Sequence, residues 1–463
     1  MSKVFVLGID CTPFEYILEA WLDELPNLKK LIKEGCYAKL NSSIPPLTGI
    51  AWTSITTGKK SGDLGIFEYI YRKNYSYDDI HIITAKNIKE KTIWQIASEH
   101  GKKAISCLVP LTWPIKPFNG ICISGCLTPN TEVNYTWPRE LKQEINALFD
   151  NFLIDSLDFR DFSKEKIIQT AYEVTEMQFN LMEYLLKNKE WDFFFGVIVK
   201  SDSINHNFWK FVDKKHREYN PNSEFKDVMK NYYKFIDKKI GELLKLLDED
   251  TKIIILSDHG ITRMHNRINL SDWLIKNKYL VLKEPIKEKT KLELNMIDWE
   301  KTKAWAIGAY EGQIFVNLKD RESKGVVDKE EYDVFVKELE EKLKNITGDK
   351  GEKLDTKIFT KKRDFLGKCQ NIAPDIIIYF DDLQYGCNTS LIGNETLWSP
   401  QTALGSDDAG HSRQGMFIMK DGKNKGDIHE IDAIDIAPTI LNLLKIPIPK
   451  DIIGKIIENG NVL

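Results

Sequence analysis

Apolar residues fall into short continuous runs separated by amphipathic stretches of helical period. Val4 to Ile9 is one such run, residues 191–199 are another, and Lys252 to Leu256 a third. Runs of this length, apolar on both faces, suit strands covered on both sides, as parallel sheets are. Between them, Leu18, Leu22, Leu25, Leu28, Leu31 and Ile32 recur at helical spacing over residues 13–34, with Gly35 as the stop. Helices are likewise expected over 92–100, 137–149, 164–186 and 223–247, and strands over 37–40, 104–109 and 121–124. This alternation predicts an α/β fold: a doubly wound, mostly parallel sheet flanked by helices.

The pattern changes near residue 269. A helix over 269–278, strands over 279–282, 313–318 and 356–360, and an amphipathic helix over 329–343 surround a charged, weakly patterned stretch at 283–303. These predict a smaller α+β insertion at 269–370, a cap or substrate domain, leaving residues 1–268 and 371–463 as the core. Core-like character returns over 374–380. A strand at 416–419 and a closing helix at 431–444 follow.

Composition narrows the class. The chain of 463 residues is long enough for a large core plus an insertion. Its net charge is -4 and its pI about 6.2, with Lys and Arg interspersed among acids, which argues against a nucleic-acid partner. Seven cysteines at irregular spacing read as reduced thiols and not as a disulfide framework. Cys122 and Cys126 have no second Cys or His pair at matching spacing for a metal. The first apolar run is too short for a signal region and runs into Asp10. No apolar run approaches the roughly 18 residues that a membrane span needs. A cytoplasmic location without a membrane partner is expected.

Three apolar strands each lead to an acid: Asp10, Asp202 and Asp258. The carboxyl ends of such strands border the crevice where open α/β sheets bind ligands. His206 follows Asp202 by four residues, His259 and Gly260 follow Asp258, and His411 lies among Gly405, Gly410 and Gly415. Thr48 follows Pro45 and Pro46 at the expected N-cap of a helix, and Gly49 behind it leaves the backbone N–H sterically open. A helix N-terminus attracts anions, so this address suits a hydroxyl that must meet a phosphoryl group. Taken singly, a Thr N-cap and an Asp-x-x-x-His pair are commonplace; together, three carboxylates and three imidazoles gather around one hydroxyl. Mixed Asp/His sets suit Zn²⁺, with Mn²⁺ as the alternative, and the set is large enough for two ions. Two metals about 4 Å apart can hold the attacking and leaving oxygens of an in-line displacement. His81, His100, His216, His265 and His429 read as surface or structural, with His265 a candidate support for His259. The aromatic excursion over 62–79, with Phe67, Tyr69, Tyr71, Tyr75 and Tyr77, is expected to pack near the site or line a substrate.

The ordered set Asp10, Pro46-Leu-Thr48 with Thr57-Gly58, Asp202-Ser-Ile-Asn-His206, Asp258-His259-Gly260 and His411 resembles the alkaline phosphatase superfamily. It is closest to the type I phosphodiesterase/nucleotide pyrophosphatase branch, and the resemblance spans nearly the whole chain. It implies that Asp202, His206 and His411 hold one divalent ion and that Asp10, Asp258 and His259 hold the second. Thr48 would stand between them as nucleophile, touching the metals and forming a phospho-threonine that water hydrolyses. Family members carry an Asn beyond the nucleophile that steadies a phosphate oxygen; here Ala51 stands three residues on, so Gly49, Lys200 or Arg413 would serve. Arg321 is a further phosphate- or carboxylate-binding candidate, with an ion pair as the alternative. The expected activity is hydrolysis of a small phosphoester. A phosphomutase or phosphotransferase of the same superfamily is the alternative, and a non-catalytic binding protein a more distant one.

Overall fold

The computed structural model describes residues 3–155, 162–400, 407–458 and 461–462. Its main sheet has nine strands, in the order Gly426–Asp432, Cys36–Asn41, Gln414–Lys420, Lys252–Leu256, Val4–Ile9, Phe193–Ile198, Ala104–Val109, Gly120–Ser124 and Thr136–Trp137. The five strands from Lys252–Leu256 to Gly120–Ser124 are mutually parallel. Gln414–Lys420 runs antiparallel to both of its neighbours, and Thr136–Trp137 to its one.

Alternation along Val4–Ile9 explains its unbroken apolarity. Phe5, Leu7 and Ile9 enter one core, packed by the helices Pro26–Glu34, Lys164–Asn188 and Val228–Leu244 through Leu28, Ile167 and Ile236. Val4 and Val6 enter the opposite core, with Trp52 and Ile55 of Thr48–Thr57, Trp94 of Ile93–Glu99 and Ile440 of Ile436–Leu443. Both faces are therefore covered, which is the doubly wound arrangement the pattern predicts.

Several local expectations change. Residues 13–34 do not form one helix: a π turn at Tyr16–Ala20 and a 3₁₀ turn at Leu22–Glu24 precede Pro26–Glu34. Pro26 is compatible only with the first turn of a helix, so it starts the regular segment. The closing helix begins at Ile436, not 431, because Gly426–Asp432 is an edge strand. Only Ile428 and Ile431 of that strand are buried, so its sequence carries no strand-like apolar run.

A second sheet stands apart from the first, in the order Ala304–Ile307, Gly312–Val316, Ile376–Tyr379, Lys357–Thr360, with all three pairings antiparallel. Its last two strands lie on either side of residue 370 in sequence. Ile376–Tyr379 reads like a core strand because it is buried on both faces, yet it lies in the middle of the second sheet. Tyr385–Asn388, also placed in the core by the sequence reading, pairs with Asn266–Asn269. Tyr77 from the aromatic excursion stacks on Trp299 of this body, with ring centroids 3.9 Å apart.

The second sheet is clamped by Asp375. Its carboxylate accepts from Arg321 Nη1 and Nη2 at 2.9 and 2.8 Å, from Tyr332 at 2.8 Å and from the Val316 amide at 2.7 Å. Lys361 Nζ lies 3.1 Å away. Burial opposes ionisation of Asp375, but Lys361 and Arg321 outweigh it and hold the carboxyl well below the usual range. Asp375→Asn leaves buried Lys361 without its carboxylate partner and Arg321 with Glu322 alone, and is expected to destabilise the chain by about 3–5 kcal/mol. Because the native pKa is depressed, the wild-type advantage is complete above the unfolded value of about 3.9 and shrinks as pH falls below it. Denaturant unfolding of both proteins at pH 7 and at pH 3 checks magnitude and sign.

Candidate active site

Strand register sets the first three ligands. Ile9 pairs with Ile198 and Gly8 with Leu256, so three neighbouring strands end at one level. Asp10 follows the first strand directly, and its amide donates to Ile198 O at 3.0 Å. Asp258 and His259 follow the Lys252–Leu256 strand. The chain after Phe193–Ile198 turns into the helix Lys200–Phe208, where Asp202 and His206 share one face a turn apart. His411 arrives on the strand Ala409–Ser412, antiparallel to Gly260–Arg263, with Ile261 opposite His411.

All six ligand-type residues converge. His206 Nε2 and His411 Nε2 lie 3.2 and 3.5 Å from Asp202 Oδ1. His259 Nε2 lies 3.3 Å from Asp258 Oδ2 and 3.6 Å from Asp10 Oδ1. The His259 and His411 rings stack with centroids 3.8 Å apart, joining the two halves. Asp10, Asp258 and His259 therefore form one ligand group, and Asp202, His206 and His411 meet at one carboxylate oxygen.

Each imidazole is oriented from behind. The Nδ1 atoms of His206, His259 and His411 face the carbonyls of Ala409, Gly260 and Pro46 at 3.0, 3.0 and 2.8 Å, which turns every Nε2 toward the centre. Asp10 accepts from the Trp52 indole at 3.0 Å, and Asp258 from the Cys11 amide at 3.2 Å. Gly8 is required here: a Cβ at that position would come within 2.2 Å of the Trp52 ring. Asn205, between Asp202 and His206, donates to Cys11 O and to Tyr233.

The electrostatics are those of a cation site. Burial, then the charges of neighbouring carboxylates, pushes the Asp10 carboxyl well up; burial does the same to Asp258. Burial opposes ionisation of Asp202, but His206 beside it outweighs that cost and keeps its carboxyl well below the usual range. Burial lowers His259 and His411, so both imidazoles are neutral, the form that binds metal. Asp10 Oδ1 and Asp258 Oδ2 are buried without a hydrogen-bond donor among the described residues. Orphaned carboxylate oxygens facing neutral imidazoles fit divalent cations.

Thr48 is the first residue of its helix, and Leu47 occupies the cap position, so the expected N-cap role is corrected. Its hydroxyl instead faces His259, Oγ1 to Nε2 at 3.4 Å. Gly49 lies in the same first turn, where amide groups lack intrahelical acceptors. Thr48 and Asp202 are only partly buried, so the centre opens to solvent beside them.

Two of the other candidates lie elsewhere, and a third, Lys200, is committed to an ion pair. Lys200 is buried and its Nζ pairs with Asp155 at 2.5 Å. Arg321 is held by Asp375 and Glu322 in the second sheet, which is the ion-pair alternative. Arg413 lines a cleft to which none of the seven central residues contributes. Gly405 lies outside the described residues. His265 packs against Tyr385, away from His259.

Two tyrosines complete the centre. Tyr69 comes from the aromatic excursion: its Cε1 lies 3.5 Å from where a Gly49 side chain would begin, which places its ring beside the first turn of the Thr48 helix. Burial pushes the Tyr69 phenol well up, keeping it a donor. Tyr310 reaches in from the second sheet, stacks on His411 at 4.5 Å, and its hydroxyl lies 3.4 Å from Asp407. The aromatic run signals the first; Tyr310 sits in a Gly-Ala-Tyr-Glu-Gly turn with no comparable signal.

A doubly wound sheet that gathers three aspartates, three histidines and a helix-borne threonine at its strand ends is the architecture of the alkaline phosphatase superfamily. The sequence profile of the type I phosphodiesterase / nucleotide pyrophosphatase family matches residues 4–395, and the chain belongs to that family. No curated protein sequence matches the chain. Among solved structures it is similar to an inactive threonine-to-alanine variant of murine ectonucleotide pyrophosphatase/phosphodiesterase 5 in complex with AMP. That match has 12% identity and a TM-score of 0.55, covering 97% of this chain and 96% of the other. It is also similar to phosphonoacetate hydrolase from Sinorhizobium meliloti 1021 in complex with phosphonoformate. There the identity is 14% and the TM-score 0.61, over 96% of this chain and 95% of the other. Among the described residues no helix is long and apolar enough to cross a membrane.

Asp258 supplies a prediction for the metal-free chain. Its native pKa is raised, so its contribution to stability is complete below the unfolded value of about 3.9 and is lost as pH rises through the native one. In chelator-treated protein, Asp258→Asn is expected to stabilise the fold at pH 7 by at least about 1.4 kcal/mol, the value of one pKa unit. The gain should vanish toward pH 4. Thermal unfolding at both pH values measures it.

Proposed function

We propose that the chain is a two-metal phosphoester hydrolase of the phosphodiesterase/nucleotide pyrophosphatase kind, with Thr48 as its nucleophile. One observation carries the reading: the Thr48 hydroxyl, at a helix N-terminus, faces His259 within the ring of six ligands. Asp202, His206 and His411 would hold one divalent ion, and Asp10, Asp258 and His259 the other; Zn²⁺ suits this donor set, with Mn²⁺ as the alternative. Bound there, the ions supply Lewis-acid polarisation of phosphoryl oxygens and a lowered hydroxyl pKa.

The chain's own groups then have defined tasks. Thr48 Oγ1 attacks phosphorus as the bond to the leaving oxygen breaks, giving a phospho-threonine; water cleaves the new P–O bond and returns the hydroxyl. The helix start at Thr48 and Gly49 directs backbone N–H groups at the transferred group. Tyr69, still protonated, donates to a phosphoryl oxygen, the task that the missing Asn performs in relatives. Tyr310 flanks the open side, where a small ester enters. The inactivity of the murine relative as a threonine-to-alanine variant accords with a threonine nucleophile.

Thr48→Ala is expected to reduce kcat on an aryl phosphate ester by at least about a thousandfold while leaving divalent-metal content unchanged. Wild-type turnover in that variant would refute the reading. Tyr69→Phe should lower kcat by about a hundredfold, the usual cost of one oxyanion donor, with KM little altered. Chelation should abolish activity and zinc restore it; metal analysis of the active protein should find two ions per chain. Parallel assays of mono- and diaryl phosphates assign the ester class.

A further inference from the structure

A second cleft, of about 340 Å³, opens between the approach to the Thr48–Thr57 helix, the end of the Cys36–Asn41 strand and the Phe359–Phe365 side of the second body. Its hydroxyls divide into two kinds. Ser43 and Ser61 are satisfied locally, donating to Pro45 O at 2.6 Å and Ile44 O at 2.7 Å. Ser42 and Ser54 are 4% and 1% exposed, and their hydroxyls have no partner among the described residues. Ser54 is the more telling. On the same helix Thr53, Thr56 and Thr57 all donate to carbonyls four residues back, the default for a helical hydroxyl. Ser54 lines the cleft and makes no such bond.

Arg413 adds charge to these donors. Its Nε is buried without a hydrogen-bond partner among the described residues, and the guanidinium lines the same cleft. Lys60 lines it too. The wall's other cation, Arg363, is neutralised by Asp364 at 3.0 Å, which leaves Lys60 and Arg413 against Asp432. Two buried hydroxyls and a guanidinium whose Nε is unpaired among the described residues, lining one net positive cleft, have the donor chemistry that phosphate oxygens accept.

We infer that this cleft is a binding site for a phosphate group, free or carried by a small ester, separate from the metal centre. Its walls touch the centre's supports. The Ser42 amide donates to Arg413 O at 2.8 Å, and the segment running on from Ser42 ends at Pro46, whose carbonyl holds His411 Nδ1 at 2.8 Å. Ser54 rides on the helix that begins with Thr48. An occupant therefore contacts both the helix and the loop that present Thr48 and His411.

The test is equilibrium dialysis of the full chain with radiolabelled inorganic phosphate in EDTA, which removes any contribution from metals at the centre. One phosphate per chain is expected to bind. Ser54→Ala and Arg413→Met should each weaken it at least about tenfold, the effect of one charge-assisted hydrogen bond, and Arg413→Lys should retain part of the affinity. Circular dichroism checks the fold of each variant, and Ser54→Ala decides alone if the arginine variants do not fold. Competition by glycerol 3-phosphate separates the sources: tighter binding than phosphate identifies an ester, equal or weaker binding the free ion. No metal-independent phosphate binding, or wild-type affinity in the folded variants, overturns the proposal.

Discussion

The structure depends on a concentration of buried negative charge at the ends of three parallel strands. Asp10, Asp258 and Asp202 meet because Ile9, Ile198 and Leu256 finish at one level of the sheet. Burial and mutual repulsion make Asp10 costly to ionise, and burial does the same for Asp258; the adjoining imidazoles are kept neutral. Every neighbouring feature is arranged around that cost. Trp52 packs on Gly8 to reach Asp10, the Cys11 amide supports Asp258, and three backbone carbonyls turn the histidines inward. Such an arrangement is expensive in an empty protein and favourable around cations.

Thr48 gains its meaning from this centre. As a cap it would satisfy its own helix; displaced by one position, it leaves its hydroxyl free to face His259. The second body contributes Tyr310, and the aromatic excursion contributes Tyr69, so the open side is framed by segments outside the main sheet. Variation in those segments can alter the substrate without disturbing the ligand set.

Much of this was legible in the sequence. Continuous apolar runs ending in acids located Asp10, Asp202 and Asp258, since period and burial leave few alternatives for such runs. The histidines were legible as an ordered set and not singly. What failed had physical reasons. Gly426–Asp432 buries only two residues and leaves no apolar run. Ile376–Tyr379 is buried on both faces in a different sheet, and hydropathy cannot say which sheet buries a strand. Arg321 pairs with Asp375, 54 residues away, and Arg413 faces another cleft; charge pairing at such separation has no local signature.

The covalent step is the central claim, and rapid acid quench of the metal-loaded protein during turnover tests it most directly. Mass spectrometry of the digested protein should find phosphate on the peptide carrying Thr48, appearing before steady state and absent from Thr48→Ala. A catalytically active protein that never carries phosphate at Thr48, under conditions where the leaving alcohol is released in a burst, would contradict the account.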